Sequence, residues 1–156
     1  MPPCVDLYVW VPVCEPQTLN GFIDRFVDVT EPGDERLSAF VRAYIAQDAD
    51  QADWAVIAEL SPNGEPADGF SLYLNAVEHY GAIITITQEG AAVLGLSLDD
   101  PDASPEVMRV AEALLNQLRT EFAAPAGCAG TELPPARSRQ EWDDDALVQL
   151  RVGTLT

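Results

Sequence analysis

Lysine is absent from this 156-residue chain, and all 8 of its basic residues are arginine. That absence excludes Schiff-base chemistry and the lysine of a phosphate-binding P-loop. Against the 8 arginines stand 26 acidic residues, for a net charge of -18. A field of that sign repels nucleic-acid phosphates and anionic membrane surfaces, and it draws in cationic partners. Histidine occurs once, as His79, so a Ser-His-Asp or Cys-His arrangement would have to use it. The three cysteines, Cys4, Cys14 and Cys128, make no disulfide framework. On a straight strand Cys4 and Cys14 lie about 30 Å apart, well past the reach of about 7 Å that a bridge allows. No apolar run approaches the roughly 18 residues needed to span a bilayer. The run from Leu7 to Val13 is short, is interrupted by Pro12 and follows Asp6. It suits a strand rather than a signal peptide, and reduced thiols then point to the cytoplasm.

What is present suits a folded domain. The chain is 47% hydrophobic and 22% charged, enough apolar surface to offset chain entropy. Val5, Leu7, Val9, Val11 and Val13 alternate with Asp6, Tyr8, Trp10 and Pro12, which predicts a strand that is an edge or is ending at the proline. Thr18 is the expected cap of a helix bearing Leu19, Phe22, Ile23, Phe26 and Val27. Asp34 is the expected cap of a second helix bearing Leu37, Phe40, Val41, Tyr44 and Ile45. Residues 51–60 fit either a helix capped by Asp50 or a strand, and the alanines favour the helix. Three alternating runs follow, from Phe70, Ala82 and Ala92, and their short connections predict antiparallel pairing. Ser104-Pro105-Glu106 starts a long helix with an apolar stripe of Val107, Val110, Ala111, Leu114, Leu118 and Phe122.

The expectation is one α+β domain over residues 1–156. An antiparallel-dominated sheet of about four to five strands carries helices on one face, in the order β-α-α-(α)-β-β-β-α-(β). Residues 124–145 look loop-like, although Cys128 to Leu133 could form a short strand, and Ala146 to Val152 suits a last strand or an ordered tail.

No nucleotide cradle, serine-hydrolase elbow or zinc-ligand spacing is present. No cofactor and no metal is expected: Asp99, Asp100 and Asp102 lack the glycine and glutamate positions of a calcium loop, and Asp143 to Asp145 lack ligand spacing too. The face of the sheet opposite its aliphatic side is more suggestive. It would carry Tyr8, Trp10, Tyr73 and Thr85, and tyrosine and tryptophan are residue types suited to an interface, unless the N-terminal helices cover it. With Asp99, Asp100 and Asp102 these are the candidate binding residues.

They point to a small acidic protein that binds a basic protein, in the manner of an immunity or inhibitor protein against a basic toxin or nuclease. That expectation is an analogy of size and charge. One alternative is an enzyme or small-ligand binder with a pocket near His79 or the Asp99–Asp102 loop. Another is a structural or regulatory domain whose acidity reflects a GC-rich or high-salt host. No nucleic-acid or membrane partner is expected, and the sequence leaves the oligomeric state open.

Overall fold

The computed structural model describes residues 4–29, 35–100 and 104–155. They form an α+β fold around one six-stranded, fully antiparallel sheet in the order β2-β3-β4-β1-β5-β6. The strands are β1 (Cys4–Val11), β2 (Phe70–Leu74), β3 (Gly81–Ile86), β4 (Ala92–Asp99), β5 (Ala126–Thr131) and β6 (Leu150–Gly153). The count exceeds the expected four to five because β5 and β6 both join the sheet. Far from being an edge, β1 lies in the centre, paired with β4 and β5. It ends at Val11, so Pro12 falls just past the ladder and costs it no hydrogen bond.

Four helices cover one face: α1 (Pro16–Phe26), α2 (Glu35–Val41), α3 (Gln51–Ala58) and α4 (Pro105–Glu121). Their apolar stripes close over the aliphatic side of the strands, where Leu7, Val9, Leu19, Phe22, Phe40 and Leu94 are fully buried. Helix α1 starts two residues before Thr18: Glu15 is its cap, without a side-chain bond, and Pro16 opens it. The expected cap of α2, Asp34, lies outside the described residues. A π turn at Arg42–Ala46 continues α2 and closes on Gln47 in the left-handed region, φ 60°. Residues 51–58 are helical, because Asp50 and Asp53 form a reciprocal capping box. Arg42 clamps Asp53 through two bonds of 2.8 and 2.6 Å and holds its carboxyl below the ordinary value.

Helix α4 begins as its sequence requires, with the Ser104 hydroxyl accepting from the Glu106 amide at 3.1 Å and Pro105 at the first turn. Its stripe is rotated from the expected one. Ala111, Leu115 and Leu118 are buried, whereas Val110 is exposed. The helix crosses from β4 to β5 and packs on β1 and β5, which draws Leu115 inward.

Residues 124–145 are not a loop. They contain β5 and a short helix, α5 (Arg139–Asp143). This part of the chain covers the second face of the sheet, where Leu133, Ala136 and Trp142 join Tyr8, Trp10, Ile83, Val93 and Cys128 in a second core. Trp142 meets Trp10 edge-on with ring centroids 5.5 Å apart. The helices are therefore not confined to one face, and the second face is closed by the C-terminal segment rather than by the N-terminal helices.

Candidate functional site

Burial separates the expected binding residues. Tyr8, Trp10 and Thr85 are buried, so they offer no surface to a partner, and the Thr85 hydroxyl is shared with Ser71 at 2.8 Å. Tyr73 on β2 is exposed. Asp99 is exposed at the end of β4. Asp100 is buried and accepts from the Ser104 amide at 2.8 Å, which makes it part of the lead into α4. Asp102 lies outside the described residues.

Nor do the other candidates assemble into a catalytic group. The His79 ring packs near Phe26 at 6.3 Å. Burial pushes the Cys14 and Cys128 thiols up to about 11 and about 12, the opposite of an activated thiolate. Among the described residues no group of three His, Cys, Asp or Glu side chains is placed to hold a metal ion. Within the acidic run at 143 to 145, Asp143 pairs with Arg139 and Asp145 with Arg151.

The structure points instead to Asp6, near the start of β1. Its neighbours on the same face, Tyr8 and Trp10, are covered, but Asp6 opens into a cavity of about 520 Å³ between the sheet and the C-terminal segment. Tyr73, Tyr80, Ser97, Glu132 and Pro135 also line it, and among the described residues no basic one does. The Ser97 hydroxyl donates to Asp6 Oδ1 at 2.5 Å. Even so, partial burial raises the Asp6 carboxyl from its ordinary 3.8 to about 6; the hydrogen bonds from Ser97 and the Leu133 backbone oppose the rise, and the Glu132 charge adds to it.

The walls are held in place by specific contacts. The Tyr8 hydroxyl donates to the Leu133 carbonyl at 2.5 Å and fixes the start of the segment that forms the far wall. Glu132 takes a left-handed turn, φ 52°, and its Oε1 accepts from the Cys4 amide at 2.8 Å. Pro134 and Pro135 follow with their φ angles fixed by the ring. On the near side the Tyr80 amide donates to the Ser97 carbonyl at 3.1 Å.

The electrostatics are lopsided. The arginines are engaged elsewhere: Arg25, Arg42, Arg109, Arg137, Arg139 and Arg151 pair with other carboxylates. Arg36 donates to the Tyr73 carbonyl and Arg119 to the carbonyls of Ala124 and Pro125. Asp6 and Glu132 thus line a cavity that has, among the described residues, two carboxylates, three tyrosines and no cation. Such a site is suited to an ammonium or guanidinium group, through charge-assisted hydrogen bonds and the faces of the rings.

The alternation of β1 places Asp6 on the second face but does not single it out, although an acid between aliphatic residues of a strand is a readable signal. Tyr80 and Glu132 come from connections, and only the folded chain brings them to Asp6. No family model matches the chain, and neither does any curated protein or solved structure.

Proposed function

We propose that this chain is an acidic protein-binding protein whose partner is basic, with the contact centred on the Asp6 cavity. The observation that carries the reading is a partly buried carboxylate, facing a cavity with a second carboxylate and no cation among the described residues. Keeping that charge unpaired costs stability, and such a cost is expected where a residue serves binding. The net charge of -18 adds a long-range field that speeds encounter with a basic surface and disfavours nucleic acid and anionic membrane. An immunity or inhibitor protein set against a basic toxin or nuclease would have this size and charge. The three free cysteines suit action in the cytoplasm.

The test is capture from the native host at low ionic strength, using the wild-type protein and an Asp6→Asn, Glu132→Gln double variant. The reading predicts a basic protein that is retained by the wild type, released as salt shortens the screening length from about 30 Å to about 10 Å, and lost by the double variant. Recovery of no basic protein, or equal retention by the double variant, contradicts it.

One observation favours a second reading. A carboxyl held near pH 6 in a cavity is suited to acid-base work on a small cationic ligand. Under that reading small amines would bind and be turned over with a rate that depends on Asp6; binding without turnover leaves the first reading.

A further inference from the structure

A second cavity adjoins the first. Its volume is about 470 Å³, and it shares Tyr73, Leu133, Pro134, Pro135 and Leu147 with the Asp6 cavity. The shared wall is thus one tyrosine, two prolines and two leucines, and the two cavities lie to either side of it. Each volume is of the size that takes a ligand group. Their chemistry differs. The Asp6 cavity has Asp6 and Glu132 and, among the described residues, no basic lining residue. The second has Leu60, Pro62 and Ala136 beside the shared wall, and its Glu141 is offset by Arg137 at 3.7 Å. It also includes Asp144, whose Oδ1 accepts from the Ala146 amide at 2.9 Å.

The wall is built to stay open. Leu133 is fixed by the Tyr8 hydroxyl. Leu147 lies where its carbonyl approaches Gly130 so closely that a side chain there would collide with it. Gln149 Oε1 accepts from the Thr131 amide and hydroxyl at 2.8 and 3.0 Å, tying the two limbs of the segment together. Tyr73 and Leu147 are nevertheless exposed, so apolar surface remains uncovered beside the carboxylates.

We propose that the two cavities form one groove for an extended segment of the basic partner. An arginine or lysine side chain enters the Asp6–Glu132 cavity beside Tyr73 and Tyr80. An apolar side chain two residues along fills the Leu60–Ala136 cavity. Residues two apart on an extended chain point to the same side, and the cavities share a wall, so one extended segment would present both side chains to the groove. The pairing of a charge with an apolar anchor gives sequence selectivity that the diffuse field of an acidic surface cannot. This inference rests on the protein-binding reading and names what the site would recognise.

The experiment is amide NMR mapping of the full chain at pH 7.5 with three capped peptides: Gly-Arg-Gly-Leu-Gly, the same peptide with citrulline for arginine, and the same with glycine for leucine. The groove predicts shifts at Asp6, Tyr80 and Ser97 from the arginine and at Leu60, Ser71 and Ala136 from the leucine. Each altered peptide binds about tenfold more weakly than the first. Asp6→Asn removes the preference for arginine over citrulline, and Leu147→Glu, at an exposed position, removes the preference for leucine over glycine. Shifts scattered over the acidic surface, or equal binding of the citrulline peptide, overturn the groove. A captured basic partner that is indifferent to both single variants also overturns the groove while leaving protein binding in place. Peptide binding with the predicted selectivity, but no captured protein, supports the recognition chemistry of the groove and overturns its assignment to a protein partner.

Discussion

The ring of Tyr8 occupies the space that a β-carbon on Gly95 would need. A methyl group there would lie 2.6 Å from Tyr8 Cε1 and 2.9 Å from the Leu7 carbonyl oxygen. The two residues face each other across β1 and β4, so the absence of a side chain at 95 lets the tyrosine lie across the sheet. From that position its hydroxyl reaches the Leu133 carbonyl. A glycine on one strand thereby sets the wall of a cavity formed by a distant part of the chain.

Gly95→Ala is expected to destabilise the fold by about 1–3 kcal/mol, the range for forcing extra volume into a packed interior. Because Tyr8 must move, the Leu133 wall moves with it, and the Asp6 amide resonance shifts along with those of Thr131, Glu132, Leu133 and Ala136. Urea unfolding and an amide spectrum of the variant read both effects. A variant of wild-type stability would show that the strands part without cost.

Tyr8→Phe removes one hydroxyl and leaves the ring. The buried Leu133 carbonyl loses its donor, at a cost of about 1–3 kcal/mol. Amide exchange measures the local consequence: protection at residues 131 to 133 falls more than protection in β3 and β4.

Asp6 makes stability depend on pH in a defined direction. Its carboxyl titrates near 6 in the folded chain against an ordinary value of 3.8, so the folded state holds the proton more tightly than the unfolded one. The unfavourable contribution of its charge is full above about pH 6 and is relieved as pH falls through 6 toward 4. Asp6→Asn should therefore be more stable than wild type at pH 7.5, by about 1–2 kcal/mol once solvent screening is allowed for. The difference should close by about pH 4. Paired denaturation curves across that range check it, and a constant gap would contradict the assignment.

Trp142→Ala should cost about 3–5 kcal/mol, since the indole is buried against Trp10 in the second core. It also uncovers Cys128. A thiol reagent at pH 8 should leave that cysteine unmodified in the wild type, where burial holds its thiol up to about 12, and modify it in the variant under native conditions.

Much of this scaffold is legible in the amino-acid order alone. Period-two alternation marks β1 through β4, and Ser104 with Pro105 and Asp50 with Asp53 mark two helix starts by their capping chemistry. Strand β5 is obscure because its residues, AGCAGT, are small and carry no alternation of polarity. Both faces of that strand are covered, so polarity has no side on which to appear. The same two-sided burial explains Tyr8 and Trp10, whose amphipathic rings suit an interface or an interior equally. Phase errors in α1 and α4 are local: proline opens the first helix earlier than threonine, and the crossover to β5 turns Leu115 inward. Of the site, only Asp6 and Tyr73 can be read from local pattern. Tyr80, Glu132 and the proline wall depend on tertiary contacts that no local pattern carries.

The role proposed for this chain turns on Asp6 as an acid, unpaired with any cation among the described residues, that awaits one. Following its side-chain carboxyl carbon by NMR, with and without a saturating arginine-containing peptide, tests this directly. Free protein should show a midpoint near pH 6, and the bound cation should lower it by about one unit or more. A free midpoint near 4, or a midpoint that the peptide leaves unchanged, would contradict that role.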